Sequence, residues 1–216
     1  MDSFRGCNIS YSKARRLALS LDSQHQTQTV FKNFSGQDMI LDIEEAYAVQ
    51  SEFVDIRLSQ DDDEIAGYKI GLTSIRMQQL LGIDSPIAGV IPKKGVKLSG
   101  NSVKKDLYMG VGLECEIIVL MANDLPPQSN KKYEFTDIES SISSVSSGFE
   151  LIDDRGADYK NVDVLTLVAD NSWNKGLIIG EFLESWDDLA GLEGTLMRNG
   201  ERIDAGKGAD VLGHPF

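Results

Sequence analysis

Residues 112–122 read GLECEIIVLMA, an apolar run broken only by Glu114, Cys115 and Glu116. Alternate side chains of an extended strand leave opposite faces, so the two glutamates share one face and Cys115 takes the other. Like charges on one face repel, and burying them unpartnered costs several kcal/mol or forces one to hold a proton. A divalent cation between them removes that cost. The same alternation also describes a strand with one face in water, where the pair has no chemical role. A third acid bears on the choice. Glu150 lies in a second short apolar stretch, GFELIDDR over 148–155, and a neighbouring strand would carry it to the first pair. Asp153 and Asp154 at the end of that stretch fit a turn as readily as a ligand.

Working outward, the chain after Gly67 breaks into short segments punctuated by glycine: YKIGLTS (68–74), AGVIP (88–92) and GVKLSG (95–100). These read as strands and turns. Residues 135–147 read as a polar amphipathic helix, 148–152 as a strand, and TLVADN (166–171) and GLIIGEF (176–182) as further strands. EGTLMRNGERIDAG (193–206) alternates around Asn199-Gly200, a pair suited to a tight hairpin. Upstream, Ala14, Leu17, Ala18 and Leu21 fall on one helical face, and Ile43, Ala46, Tyr47 and Val49 suggest a second helix. Between them residues 24–36 are polar and irregular, and the acids at 61–64 mark a solvated turn. The chain therefore reads as α+β, with a helical region over 1–66 and a strand-rich domain over 67–216.

Lys and Arg total 21 against 34 Asp and Glu, a formal charge of −13 with no long basic block, which argues against nucleic-acid binding. An acidic surface does not exclude an anionic substrate, because a bound divalent cation reverses the local potential. Residues 1–20 mix Arg5, Lys13, Arg15 and Arg16 with polar side chains and lack the apolar core of a secretory signal. No stretch approaches the apolar length needed to span a bilayer, so a cytoplasmic protein with no membrane association is the expectation. Cys7 and Cys115 form no CxxC pair, and His25 and His214 are the only histidines, so neither a thiolate nor a His-rich site is supported. Any metal is held by oxygen, which favours magnesium, manganese or calcium.

Six segments then carry a resemblance: AGYKIGLTS (66–74), QQLLGIDSPIAGVI (78–91), LECEIIVLMANDLP (113–126), FELIDDR (149–155), LVADN (167–171) and GKGADVLGHP (206–215). In order and approximate spacing they resemble the 2-keto-4-pentenoate hydratases of the fumarylacetoacetate hydrolase superfamily, alongside the 2-oxo-3-hexenedioate decarboxylases. The similarity starts near Asp42 and runs to the last residue. It implies a mixed β-roll of the superfamily's C-terminal-domain type after a small N-terminal helical region. It further implies that Glu114, Glu116 and Glu150 bind Mg2+ or Mn2+, that Lys69 and Asp84 are catalytic, and that the protein assembles as a homo-oligomer. The implied reaction is hydration of 2-hydroxypenta-2,4-dienoate to 4-hydroxy-2-oxopentanoate through a metal-bound enolate, in aromatic catabolism. Decarboxylation of 2-oxo-3-hexenedioate and a non-catalytic, metal-binding homologue are the alternatives.

Other residues keep two readings. Arg155 pairs with a substrate carboxylate or with Asp153 or Asp154. Ser172 is a candidate substrate contact, His214 shapes a loop near the pocket, and Lys69 and Asp84 on their own describe an exposed strand lysine and a turn former. Three departures stand out. Relatives continue beyond the GHP motif through a helix and further strands, so an incomplete roll is expected; Ile87-Ala88 replace an acid and an aromatic; and bulky Trp173, where small residues are usual, is expected to narrow the pocket or change its specificity.

Overall fold

The computed structural model describes residues 9–128 and 132–216. Helix α1 (Tyr11–Gln26) starts where the Ser10 hydroxyl accepts from the Lys13 amide at 3.3 Å, and α2 (Ile43–Asp61) where Asp42 accepts from the Glu45 amide at 2.8 Å. Ala14, Leu17, Ala18 and Leu21 of α1 are buried as a single stripe. Helix α2 is buried on more than one side because it lies between α1 and the rest of the chain. Lys13–Glu45 and Arg15–Glu52 tie it to α1, while Gln50 donates to the carbonyls of Ala88 and Val168 at 3.0 and 2.8 Å.

Next come β1 (Ile65–Gly71), α3 (Ile75–Leu81) and β2 (Ile87–Pro92), with β1 and β2 paired antiparallel. Strands β3 (Val96–Leu98) and β4 (Val111–Met121) are followed by the short helix α4 (Phe135–Glu139) and the long strand β5 (Ile142–Asp153). After helix α5 (Val164–Ala169), β6 (Asn174–Ile179) completes a four-stranded sheet in the order β3-β6-β5-β4. Only β3 and β6 run parallel within it. Strands β7 (Glu193–Arg198) and β8 (Glu201–Lys207) form the hairpin read from the sequence, with Asn199 and Gly200 at φ of 52° and 84° in the turn. The chain is thus a mixture of helix and sheet. Among the described residues no helix is long and apolar enough to cross a membrane.

One core joins the helices to the strands: Leu17, Val49, Phe53, Ile87, Ile152 and Val168 belong to it. It fixes where β5 sits relative to β2 and α5.

Two sequence readings are corrected. The helix expected over 135–147 ends at Glu139, and β5 begins at Ile142. Ser144 and Ser146 are buried in that strand, so counting serines as polar hid its covered face; pairing with β4 on one side and β6 on the other overrides the local signal. TLVADN, read as a strand, is mostly helix α5, begun by Asp163, whose carboxylate accepts from the amide and hydroxyl of Thr166 at 3.0 and 2.6 Å.

Gly148 of β5 lies directly opposite Glu116, where the Ile118 side chain of β4 and the backbone of β6 leave no room for a side chain. A Cβ there would stand 2.2 Å from Ile118 Cδ1 and 2.5 Å from the Ile178 carbonyl oxygen. Gly148→Ala is expected to lower stability by about 1–3 kcal/mol, read as a shift of the urea midpoint.

Candidate metal centre

The register of β4 on β5 builds the site. Glu114 pairs directly with Glu150, and Glu116 with Gly148, so the three carboxylates rise from one face at adjacent positions. One oxygen from each lies within 4.8 Å of the other two. Glu150 is the buried member at 2% exposure, Glu116 is half-buried and Glu114 is the solvent-facing one.

Their electrostatics follow from this crowding. Loss of hydration raises the Glu116 pKa to about 7, with Glu150 and Glu114 adding to the rise and Lys69 opposing it. Glu114 is raised too, first by loss of hydration and then by Glu150, although Lys69 pulls it down. Three carboxylates compressed around one point are a poor arrangement for anions and a good one for a hard cation.

Lys69 of β1 reaches across to the site, its Nζ donating to Glu150 Oε1 at 2.5 Å and to the Ser172 carbonyl at 3.3 Å. Gly89 of β2 makes room for it, since a Cβ there would lie 3.0 Å from Lys69 Cγ. Asn174 Nδ2 also donates to Glu150 Oε1, at 2.8 Å. One oxygen of Glu150 is therefore taken by two donors, while Oε2 has none among the described residues. Nothing in the sequence pattern singled out Asn174; only the fold brings it beside Glu150.

Asn171, Ser172 and Trp173 form a left-handed turn with φ of 52°, 48° and 59°. Such a conformation costs non-glycine residues roughly 1–2 kcal/mol each. The Asn171 amide offsets this by accepting from Val90 N at 2.7 Å and donating to Val90 O at 2.8 Å, joining the turn to β2. Ser172 Oγ is buried with no partner among the described residues, as is Trp173 Nε1. The Trp173 ring does not narrow the pocket as expected; it packs into the core, edge-on to Phe31 and Tyr159. The Tyr159 hydroxyl donates to Asp154 at 3.1 Å, and burial, then Asp154, push its pKa up to about 12, so it stays protonated.

The remaining sequence candidates make no hydrogen bond to the three glutamates among the described residues. Arg155 is 1% exposed, and its guanidinium is engaged by Asp170 at 2.8 Å, His25 at 2.7 Å and the Thr29 carbonyl at 3.2 Å, above the Phe31 ring. Its ion-pair partner is Asp170 rather than Asp153 or Asp154. No free fork faces a substrate; the residue instead braces the base of the left-handed turn. Asp84 lies in the exposed turn between α3 and β2, and among the described residues its carboxylate makes no hydrogen bond or ion pair. His214 packs edge-on against Phe135 and accepts from the Phe216 amide, with no bond to the three glutamates.

A mixed helix-and-sheet fold carrying three convergent carboxylates and a lysine defines a protein with a site for a hard divalent cation. No protein-family model matches the chain. It is similar to 2-keto-4-pentenoate hydratase of Burkholderia vietnamiensis, 30% identical over 173 residues that cover 79% of this chain and 64% of the relative. It is also similar to 2-oxo-hept-4-ene-1,7-dioate hydratase of Escherichia coli, 28% identical over 209 residues, covering 92% and 76%. In three dimensions it matches 4-oxalocrotonate decarboxylase of Pseudomonas putida complexed with magnesium and adipate, with a TM-score of 0.86 at 26% identity over 96% of this chain and 78% of that one. The chain spans 64% of the length of the first of these relatives. Its similarity thus runs to 2-keto-4-pentenoate hydratases and 4-oxalocrotonate decarboxylases alike.

Proposed function

We propose that this protein is a metal-dependent hydro-lyase that converts 2-hydroxypenta-2,4-dienoate to 4-hydroxy-2-oxopentanoate. The observation that carries the reading is the convergence of Glu114, Glu116 and Glu150 to within 4.8 Å, with Lys69 at 2.5 Å from Glu150. Similarity to relatives named as hydratases supports it.

In this reading Glu114, Glu116 and Glu150 hold Mg2+ or Mn2+. The ion supplies Lewis acidity toward the carboxylate and 2-oxo oxygens of the substrate. Glu150 is oriented by Lys69 and Asn174. The Lys69 ammonium holds a proton beside the substrate and gives it to C5 of the dienoate while the 2-hydroxyl gives up its own proton, which restores the ammonium, so that the 2-oxo-3-ene acid forms. Water then adds its hydroxyl to C4 and its proton to C3, with Asp84 orienting or activating the water; the buried Ser172 hydroxyl would have to turn outward to contact the substrate. Arg155 has no part in this, because it is buried and turned to Asp170, His25 and the Thr29 carbonyl.

The same reading takes the fold as a β-roll of the fumarylacetoacetate hydrolase C-terminal-domain type over 67–216, behind a helical region over 1–66. It takes the protein as a cytoplasmic homo-oligomer serving aromatic catabolism.

Decarboxylation of 2-oxo-3-hexenedioate is the second reading, favoured by the TM-score of 0.86 to a 4-oxalocrotonate decarboxylase. Supplying the two substrates separately tells them apart. Loss of the dienoate chromophore without carbon dioxide is expected, and only with Mg2+ or Mn2+ present. Carbon dioxide from the dicarboxylate alone would select the second reading, and equal turnover of either substrate after metal removal would refute both.

A further inference from the structure

A cleft lies between the C-terminal end of α2 and the start of β6. It encloses about 150 Å3, and Arg57, Lys94, Lys175, Asp61 and Asp63 are among the residues on its walls. Most of these charges are already answered. Asp63 accepts from the Lys94 amide at 3.1 Å through both oxygens and from the Glu64 amide at 2.8 Å, and Lys94 Nζ donates to the Asp61 carbonyl. Arg57 is only loosely held, 3.5 Å from Asp22 and 3.8 Å from Asp61.

Lys175 is different. It is half-buried, and among the described residues its ammonium has neither a hydrogen bond nor an ion pair. Burial, then Arg57, lower its pKa, with Arg155 adding to the fall and Asp153 and Asp61 opposing it. A desolvated, unpaired ammonium next to a guanidinium is an unfavourable arrangement that an anion relieves. Three cations, Arg57, Lys94 and Lys175, thus gather at one cleft on a chain whose formal charge is −13.

We propose that the cleft is a binding site for a small oxyanion, a carboxylate or a phosphate, held by Lys175 and Arg57 and separate from the three glutamates. A group of this size fits the cleft, and the loosely held Arg57 has donors to spare for a forked contact.

Calorimetric titration of the metal-stripped protein with inorganic phosphate, and separately with acetate, tests it. Without metal the three glutamates repel anions, so their site contributes no binding. Saturable binding of at least one anion is expected. It should weaken at least tenfold in Lys175→Gln, survive in Lys175→Arg and be unaltered in Glu116→Gln. Which anion binds identifies the ligand as phosphate-like or carboxylate-like. The bound anion should also protect Lys175 of the wild-type protein from acylation, a reading that does not depend on any variant folding. No saturable binding of either anion, unchanged affinity in a folded Lys175→Gln, or equal acylation of Lys175 with and without a bound anion would each overturn the proposal.

Discussion

Replacing Glu116 with glutamine is expected to stabilise the metal-free protein at pH 8 while weakening magnesium binding about a hundredfold or more. The two effects have one origin. The Glu116 pKa is about 7 in the folded protein against an ordinary 4.5, because the carboxyl is poorly hydrated and faces Glu150 and Glu114. Between those pH values the folded state binds more protons than the unfolded state, so stability falls as pH rises from about 4.5 through 7 and levels off above it. Each unit of displacement is worth about 1.4 kcal/mol, which makes the penalty at pH 8 a few kcal/mol. Glutamine keeps the shape and removes the charge, so part of this penalty disappears. Urea midpoints at pH 5 and pH 8 check the sign: the variant should exceed wild type at pH 8, and the gap should shrink at pH 5, where wild-type Glu116 is largely protonated. Magnesium at a hundred times its Kd adds about 2.7 kcal/mol to wild type and little to the variant. A variant less stable than wild type at pH 8 would show that Glu116 is not under strain.

Lys69→Met is expected to act in the opposite direction. Lys69 and Glu150 form a buried pair, with side chains 9% and 3% exposed, and removing one partner leaves the other charge buried and unanswered. Such a loss costs about 3–5 kcal/mol in the metal-free protein. Saturating magnesium should recover much of it, because the ion replaces the ammonium as counter-charge to Glu150. Turnover of the dienoate should nevertheless fall about a hundredfold or more, since no proton donor remains beside the substrate. Unfolding curves with and without magnesium, set against rates at saturating metal, separate the structural part of Lys69 from its chemical part. Equal destabilisation with and without metal would place the cation away from Glu150.

Local patterns carried a good deal of this in advance. The helical stripe from Ala14 to Leu21 is the buried face of α1, and Asn199-Gly200 turns the β7/β8 hairpin. Alternation put Glu114 and Glu116 on one face, and the pairing of β5 with β4 sets Glu150 opposite Glu114. What local pattern could not show was non-local. The length of β5 depends on partners on both sides, and its buried serines carry no apolar signal. Helix α5 rests on a single capping aspartate, Asp163, outside the TLVADN stretch. Arg155 looked available because Asp170 and His25, which engage it, are 15 and 130 residues away in sequence. Asn174 became visible only through its bond to Glu150, and three successive left-handed residues cannot be anticipated without glycine to mark them.

The proposed chemistry requires Glu114, Glu116 and Glu150 to grip one hard cation together. Anomalous diffraction from crystals soaked in Mn2+ tests this most directly. The predicted result is one strong peak bounded by all three carboxylates, at about 2.0–2.6 Å from an oxygen of each and nearer Oε2 than Oε1 of Glu150. A peak elsewhere, or none at millimolar Mn2+ with the three side chains turned apart, would contradict it.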